Sequence, residues 1–184
     1  MSQYQIGVIV GSLRKGSLNR KLADAIVKLA PSAFSFKQLE IGDLPLYNQD
    51  DDANQAPAVQ RFKGEIVAAT GLIFVTPEYN RGVPGVLKNA IDHASRPYGQ
   101  SAWTNKPAGV LGASVGVIGT AIAQQQLRTI LACLDVHTMG LPEAFMHAKS
   151  GFFDEAGNIA NPDTTKFLQS WMDRYVAWVK QHAA

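Results

Sequence analysis

The chain has 184 residues, 46% of them apolar and 17% charged, with 17 Lys and Arg against 15 Asp and Glu for a net charge of +2. At about 150 residues per domain this is roughly one domain, residues 1–184, with core enough to dispense with disulfide or metal staples. A charged fraction below the usual ~25% excludes a disordered chain and leaves apolar surface for a subunit interface, while so small a net charge gives no footprint for nucleic acid.

Residues 1–5 lack the positive start of a signal peptide. Residues 5–10 then read as a buried strand. Residues 19–30 read as a helix with Leu18, Leu22, Ile26 and Leu29 on one face. Residues 34–41 read as a second strand, and residues 41–57 as a loop in which Asp50, Asp51 and Asp52 are solvated. Val59, Phe62, Ile66 and Ala69 mark the second helix. Residues 71–76 form a strand with no polar face, as in a parallel sheet covered on both sides. Pro84 starts a third helix through Leu87, Ala90, Ile91 and Ala94, with His93 at its end. Residues 108–113 are a fourth strand, 119–134 a fourth helix and 136–139 a short fifth strand. The uncharged run 107–127 is too rich in Gly and ends in Gln124, Gln125 and Gln126, so it is not a membrane span. Residues 151–161 read as a turn or small hairpin, after which Asn161 caps a last helix with Pro162 at its first position. Phe167, Leu168, Trp171, Tyr175 and Trp178 form the apolar face of that helix.

Five βα units in a row argue for a doubly wound α/β sheet with right-handed crossovers. Five strands fit a flavodoxin-like three-layer sandwich with a parallel sheet of order 2-1-3-4-5. In that order ligands bind outside the C-terminal strand ends at the switch point between strands 1 and 3, so the loops after strands 1, 3 and 4 should form the site.

The first loop, residues 11–20, joins a buried strand to a helix N-terminus, where free backbone N–H groups and the helix dipole favour an anion. Ser12, Ser17 and Asn19 can donate hydrogen bonds there, and Arg14 adds a forked, charged donor suited to phosphate. The loop matches neither a Walker A nor a Gly-x-Gly-x-x-Gly pattern, and the bland alternative is a polar turn with a Ser cap. The second loop, residues 76–85, has two prolines and two glycines to fix its backbone, so it could present N–H groups to a flat polar ring with Tyr79 covering an apolar edge. The third, residues 112–119, reads as a close-approach loop letting backbone meet a ring, with Ser114 as a donor; the alternative is glycine used only for tight turns.

Together the runs Gly11-Ser12-Leu13-Arg14 with Ser17 and Asn19, Pro77-Glu78-Tyr79-Asn80, Pro84-Gly85-Val86-Leu87-Lys88-Asn89-Ala90-Ile91-Asp92 and Ser95-Arg96-Pro97-Tyr98-Gly99 resemble the NADPH-dependent FMN reductase family, in its bacterial quinone and chromate reductase branch. The resemblance covers nearly the whole chain in matching order. It implies bound FMN, NADPH or NADH as co-substrate, and a homodimer or homotetramer. It implies that Ser12, Arg14, Ser17 and Asn19 hold the FMN phosphate, that Pro77, Glu78, Tyr79 and Asn80 line the isoalloxazine and ribityl side, and that Ser114 is a further contact. The family often carries Ser where this chain has Gly82. Hydride would pass from the nicotinamide to the flavin and on to a quinone, chromate, azo or other small acceptor, the cofactor carrying the chemistry. No catalytic acid is named. Arg96 is a candidate for the NADPH phosphate or an ordinary surface residue.

The histidines form no metal-ligand pattern. Cys133, between Ala132 and Leu134, reads as a buried small hydrophobe, and a single cysteine fits a reducing, cytoplasmic setting. Arg128 and Glu143 could pair between subunits or lie at the surface. The rival functions are a flavodoxin-type electron carrier and a flavin-binding scaffold without turnover of its own.

Overall fold

The computed structural model describes residues 4–182; the expectation resting on Met1, Ser2 and Gln3 lies outside them. Strand β1 (Tyr4–Val10) is central because its side chains from Ile6 onward are all buried. It pairs in parallel with β2 (Phe34–Gln38) on one side and β3 (Gly71–Val75) on the other, and β4 (Pro107–Ser114) follows β3. The order β2-β1-β3-β4-β5 is the one the sequence predicts, and it is that of the flavodoxin-like fold.

The fifth position differs from expectation. It is filled by two short strands, β5 (His137–Thr138) beside Pro107 and Ala108, and β6 (Ala144–His147) beside the stretch from Leu111 to Ser114. The sheet therefore has six strands, and the chain leaves it between β5 and β6. The Arg128 guanidinium holds that excursion within one chain. It donates to the Met139 carbonyl at 2.7 Å, and its Nε lies 3.9 Å from Glu143.

Helices α1 (Leu18–Val27) and α5 (Pro162–His182) cover one face of the sheet, burying Leu22 and Ile26 against Leu168, Trp171 and Tyr175. Helices α2 (Pro57–Ala68), α3 (Gly85–Ala94) and α4 (Ala121–Cys133) cover the other, burying Phe62, Leu87, Trp103 and Leu127. Helix α1 ends three residues short of the expected Ala30 because Pro31 disfavours helical backbone in the residue before it. Asn161 caps α5 as expected, accepting from the Thr164 N–H at 2.9 Å. The hairpin before it closes through Phe153 and Ile159.

The segment 42–56 is not plain loop. It crosses the outer surface of α3, where Asn89 and His93 both hydrogen-bond the Pro45 carbonyl at 2.8 Å, and then forms a short 3-10 helix (Gln49–Asn54) carrying the three aspartates.

Two expectations fail on α4 and α5. Cys133 is exposed rather than buried. Successive helical residues turn about 100°, so Cys133 stands some 200° from buried Leu131 and faces out. Phe167 is 36% exposed, because Leu168 takes the core position beside it, and Trp178 is half-buried with its indole N–H on the His137 carbonyl at 2.7 Å. No helix of the described residues is long and apolar enough to cross a membrane.

Candidate functional site

Three loops leave the C-terminal strand ends side by side. The Gly11 N–H donates to the Val75 carbonyl at 2.9 Å and the Thr76 N–H to the Leu111 carbonyl at 3.0 Å, so the strands β1, β3 and β4 deliver their chains to one rim. On that rim loop one wraps the N-terminus of α1. Ser17 caps the helix, its Oγ accepting from the Arg20 N–H at 3.2 Å. The N–H groups of Leu18 and Asn19, in the first turn, have no partner within the helix. Ser12 is buried beneath this turn and Arg14 is exposed beside it.

Asn19 does something its residue type did not announce. Its amide donates to the Ala113 carbonyl at 2.9 Å and accepts from the Ala113 N–H at 2.8 Å. Leu111 already bonds towards β3, and Ala113, two residues on, points the same way after β3 has turned into loop two. The Asn19 side chain thus takes the place of the departed strand. What it offers an anion is its backbone N–H.

Loop two is a two-residue hairpin turn. Tyr79 and Gly82 exchange backbone hydrogen bonds of 3.1 and 3.0 Å, and the residues between them, Asn80 and Arg81, have φ of 51° and 64°. Both turn residues are left-handed, as this hairpin type requires, and neither is glycine. The prolines and glycines expected to fix the loop flank the turn rather than make it.

The Glu78 carboxylate does not point into open space. Its Oε2 accepts from the Ile122 and Ala123 N–H groups at 3.0 and 3.1 Å, and its Oε1 pairs with Arg81 at 3.1 Å. Thr120, the residue before α4, has φ of 71° and gives no side-chain cap. Loop two therefore caps the helix that loop three begins, with a negative charge at the positive end of the helix dipole. One turn along α4, the Gln126 amide donates to the Arg81 carbonyl at 3.0 Å and accepts from the Val83 N–H at 3.3 Å.

In loop three the glycines serve the protein's own packing. A Cβ on Gly112 would lie 2.1 Å from the Thr76 carbonyl oxygen, and one on Gly119, at φ 60°, would lie 2.6 Å from the Phe145 backbone. Gly112 and Gly119 are thus required by the protein's own backbone. Gly116 is less crowded, a Cβ there meeting the Ser114 Oγ at 3.8 Å. Ser114 donates to the Gly116 carbonyl at 3.0 Å and closes the loop.

Between loops two and three lies a cleft of about 460 Å³, running from Glu78, Asn80 and Arg81 to Ser114, Val117 and Ile118. Tyr79, Val115 and Val117, on the two loops that bound it, are exposed apolar side chains. The cleft has room for a flat, partly apolar molecule, and its two charged lining residues, Glu78 and Arg81, are paired with each other.

The structure gathers Ser12, Arg14, Ser17, Asn19, Pro77, Glu78, Tyr79, Asn80 and Ser114 on these three loops. It does not bring Arg96 to them: Arg96 follows the far end of α3 and lines a separate hollow with Tyr98 and Cys133. Gln126 was missed. The only signal was an unbroken Gln run at the start of a helix, and its members part ways. Gln124 is buried on Thr120 and the Ala144 carbonyl, Gln125 bonds Glu143, and Gln126 grips loop two.

The NADPH-dependent FMN reductase family matches residues 4–151. A 2-hydroxy-1,4-benzoquinone reductase of Burkholderia sp. is 53% identical over 176 residues, 96% of each chain. A quinone reductase of Pseudomonas putida is 50% identical over 100% of each chain. Among solved structures, a flavoenzyme NAD(P)H:acceptor oxidoreductase from Paracoccus denitrificans superimposes with a TM-score of 0.94 at 44% identity, covering 98% of this chain and 100% of that one.

Proposed function

The chain belongs to the NADPH-dependent FMN reductase family, and from that premise we propose that residues 1–184 form one FMN-binding domain that uses NAD(P)H to reduce quinones. The observation that carries the placement of the cofactor is the state of the helix N-termini on the rim. That of α4 is filled by Glu78, and that of α3 has Pro84 at its cap, with no hydroxyl or amide side chain there to share an anion. That of α1 is open, with the Leu18 and Asn19 N–H groups free of helical partners and Ser12, Arg14 and Ser17 around it. A dianionic phosphate belongs there. The donor set fits the group, since every side chain in it can donate and none is acidic.

Asn19 then acts twice, locking α1 to β4 through its side chain and giving its backbone N–H to the phosphate. Pro77, Glu78, Tyr79 and Asn80 line the ring and ribityl side, and Ser114 is a further contact from the loop opposite. When bound, FMN supplies the two-electron chemistry between nicotinamide and acceptor. The protein's part is to orient the ring, exclude water with the apolar rim of Tyr79, Val115 and Val117, and leave an open slot. A slot whose lining charges, Glu78 and Arg81, neutralise each other suits neutral quinones, as the names of the relatives suggest; chromate and azo compounds are secondary acceptors. The exposed apolar residues around the rim and the low charge content support assembly as a homodimer or homotetramer. The single free cysteine supports a cytoplasmic location.

The test is one anaerobic spectrum of the purified protein, before and after NADPH and then a simple quinone. The expected result is a flavin band that bleaches with NADPH and returns with quinone. Bound flavin that NADPH does not bleach moves the protein to the electron carrier or scaffold class. No flavin after incubation with FMN overturns the site.

A further inference from the structure

We infer that Glu78 and Gln126 are positioning residues that fix the width of the acceptor slot, by latching the turn that carries Tyr79 and Asn80 onto α4. The inference rests on the functional reading above and adds to it a role for two carboxyl and amide side chains that act through the turn they hold.

The turn cannot hold its own shape. It has two consecutive left-handed residues with side chains, and an isolated two-residue hairpin with two ladder bonds is marginal in water. What fixes it is α4. Glu78 Oε2 takes two backbone N–H groups of the helix's first turn, and the Gln126 amide takes one carbonyl and one N–H of the loop, at 3.0 and 3.3 Å. Ile122 and Gln126 are four residues apart, so both holds lie on one face of the helix. The helix itself does not shift easily, because Ala123, Gln124, Leu127 and Leu131 are all fully buried. The latch therefore transmits the position of the core to the wall of the slot. The opposite wall, Val117 and Ile118, leads directly into the same helix, so both walls are referred to one rigid element. The phosphate cradle at α1 lies outside this arrangement.

The separation of roles sets the test. Gln126→Ala and Glu78→Ala are made alongside Gln125→Ala, whose side chain bonds Glu143 instead. In the FMN-free proteins, hydrogen exchange at Gly82 and Val83 (for Gln126→Ala) and at Ile122 and Ala123 (for Glu78→Ala) is expected to quicken by about tenfold, the worth of one good hydrogen bond to a charged or fixed partner. Gln125→Ala leaves both segments unchanged. Glu78→Gln, which keeps an acceptor oxygen, restores most of the protection at Ile122 and Ala123. With FMN bound, KM is measured for a one-ring and a two-ring quinone. For Gln126→Ala, the expected result is a change in the ratio of the two KM values of about tenfold, with kcat and the FMN dissociation constant within about twofold.

Faster exchange with an unchanged KM ratio overturns the positioning role, because the turn then moves without altering the slot. An FMN dissociation constant that rises as much as KM overturns it in the other direction, making the pair cofactor-holding residues. Unchanged exchange overturns the latch itself. A wild-type protein that takes up no FMN overturns the functional reading and the acceptor role with it, while the exchange data still judge the latch.

Discussion

Replacing Asn19 tests the claim that its side chain substitutes for a strand. Asn19 is 3% exposed and Ala113 1%, so water has poor access to the two backbone groups that the amide satisfies. Asn19→Ala leaves the Ala113 N–H and carbonyl both unpaired. At about 1–3 kcal/mol for each buried unsatisfied group, the cost is about 3 kcal/mol after partial relaxation. For a chain of this size that corresponds to a fall of about 6–12 °C in Tm. Asn19→Asp keeps the shape and the acceptor but turns the donor into a second acceptor facing the Ala113 carbonyl, so it should cost as much as alanine. The assay is thermal and urea unfolding of the FMN-free protein, since bound cofactor would add its own stabilisation and mask the difference. A fall below about 2 °C in both variants would refute the reasoning, because neither hydrogen bond would then be worth its burial.

Arg14→Ala is expected to weaken FMN binding about tenfold, and by less at high salt, because the guanidinium is exposed and its attraction to phosphate is screened; fluorescence titration at two ionic strengths checks it, and an unchanged affinity refutes it. Gly112→Ala drives a methyl into the Thr76 carbonyl and should cost about 3 kcal/mol or prevent folding, whereas Gly116→Ala, whose methyl meets the Ser114 Oγ at an ordinary 3.8 Å, should leave Tm unchanged. Asp154 closes the hairpin before α5, and the Asn158 N–H on its carboxylate holds it below the usual carboxylate range. Its contribution to stability is therefore present above that range and is lost as pH falls through the lowered value. The Tm difference between wild type and Asp154→Asn should stay level near neutrality and close in acid, and a difference that persists unchanged at the lowest pH contradicts this.

Features fixed by neighbours in sequence were legible and those fixed across the fold were not. Strands β1, β3 and β4 declared themselves as short unbroken apolar runs, and their order followed from the βα alternation. Asn161 was readable as a cap because it bonds a backbone group three residues on. Strand β6 was not readable, since Ala-Phe-Met-His is four residues long, lacks β-branched side chains and pairs only because β5 stops early. The three loops emerge on one rim, as the strand order implies, but the ties of their side chains to the rest of the fold were hidden. Asn19 finds its partner 94 residues away and Glu78 finds one 45 residues away, and neither contact has a signal in the neighbouring sequence. Cys133 is a different kind of miss, because its outward direction was present in the helical period of Leu127 and Leu131.

The interrupted fifth position of the sheet has a consequence for the behaviour of the protein at high concentration. A long, straight outer strand offers a row of unpaired backbone groups on which a second molecule can nucleate an intermolecular sheet. Here the outer row is two residues of β5, a detour off the sheet, and four residues of β6. No run is long enough to template a neighbour. The other border, β2, is five residues long and projects the exposed Lys37, a charged side chain of the kind that disfavours edge-to-edge pairing. A chain with few charges to keep its copies apart is thus protected from aggregation by the shape of its sheet borders.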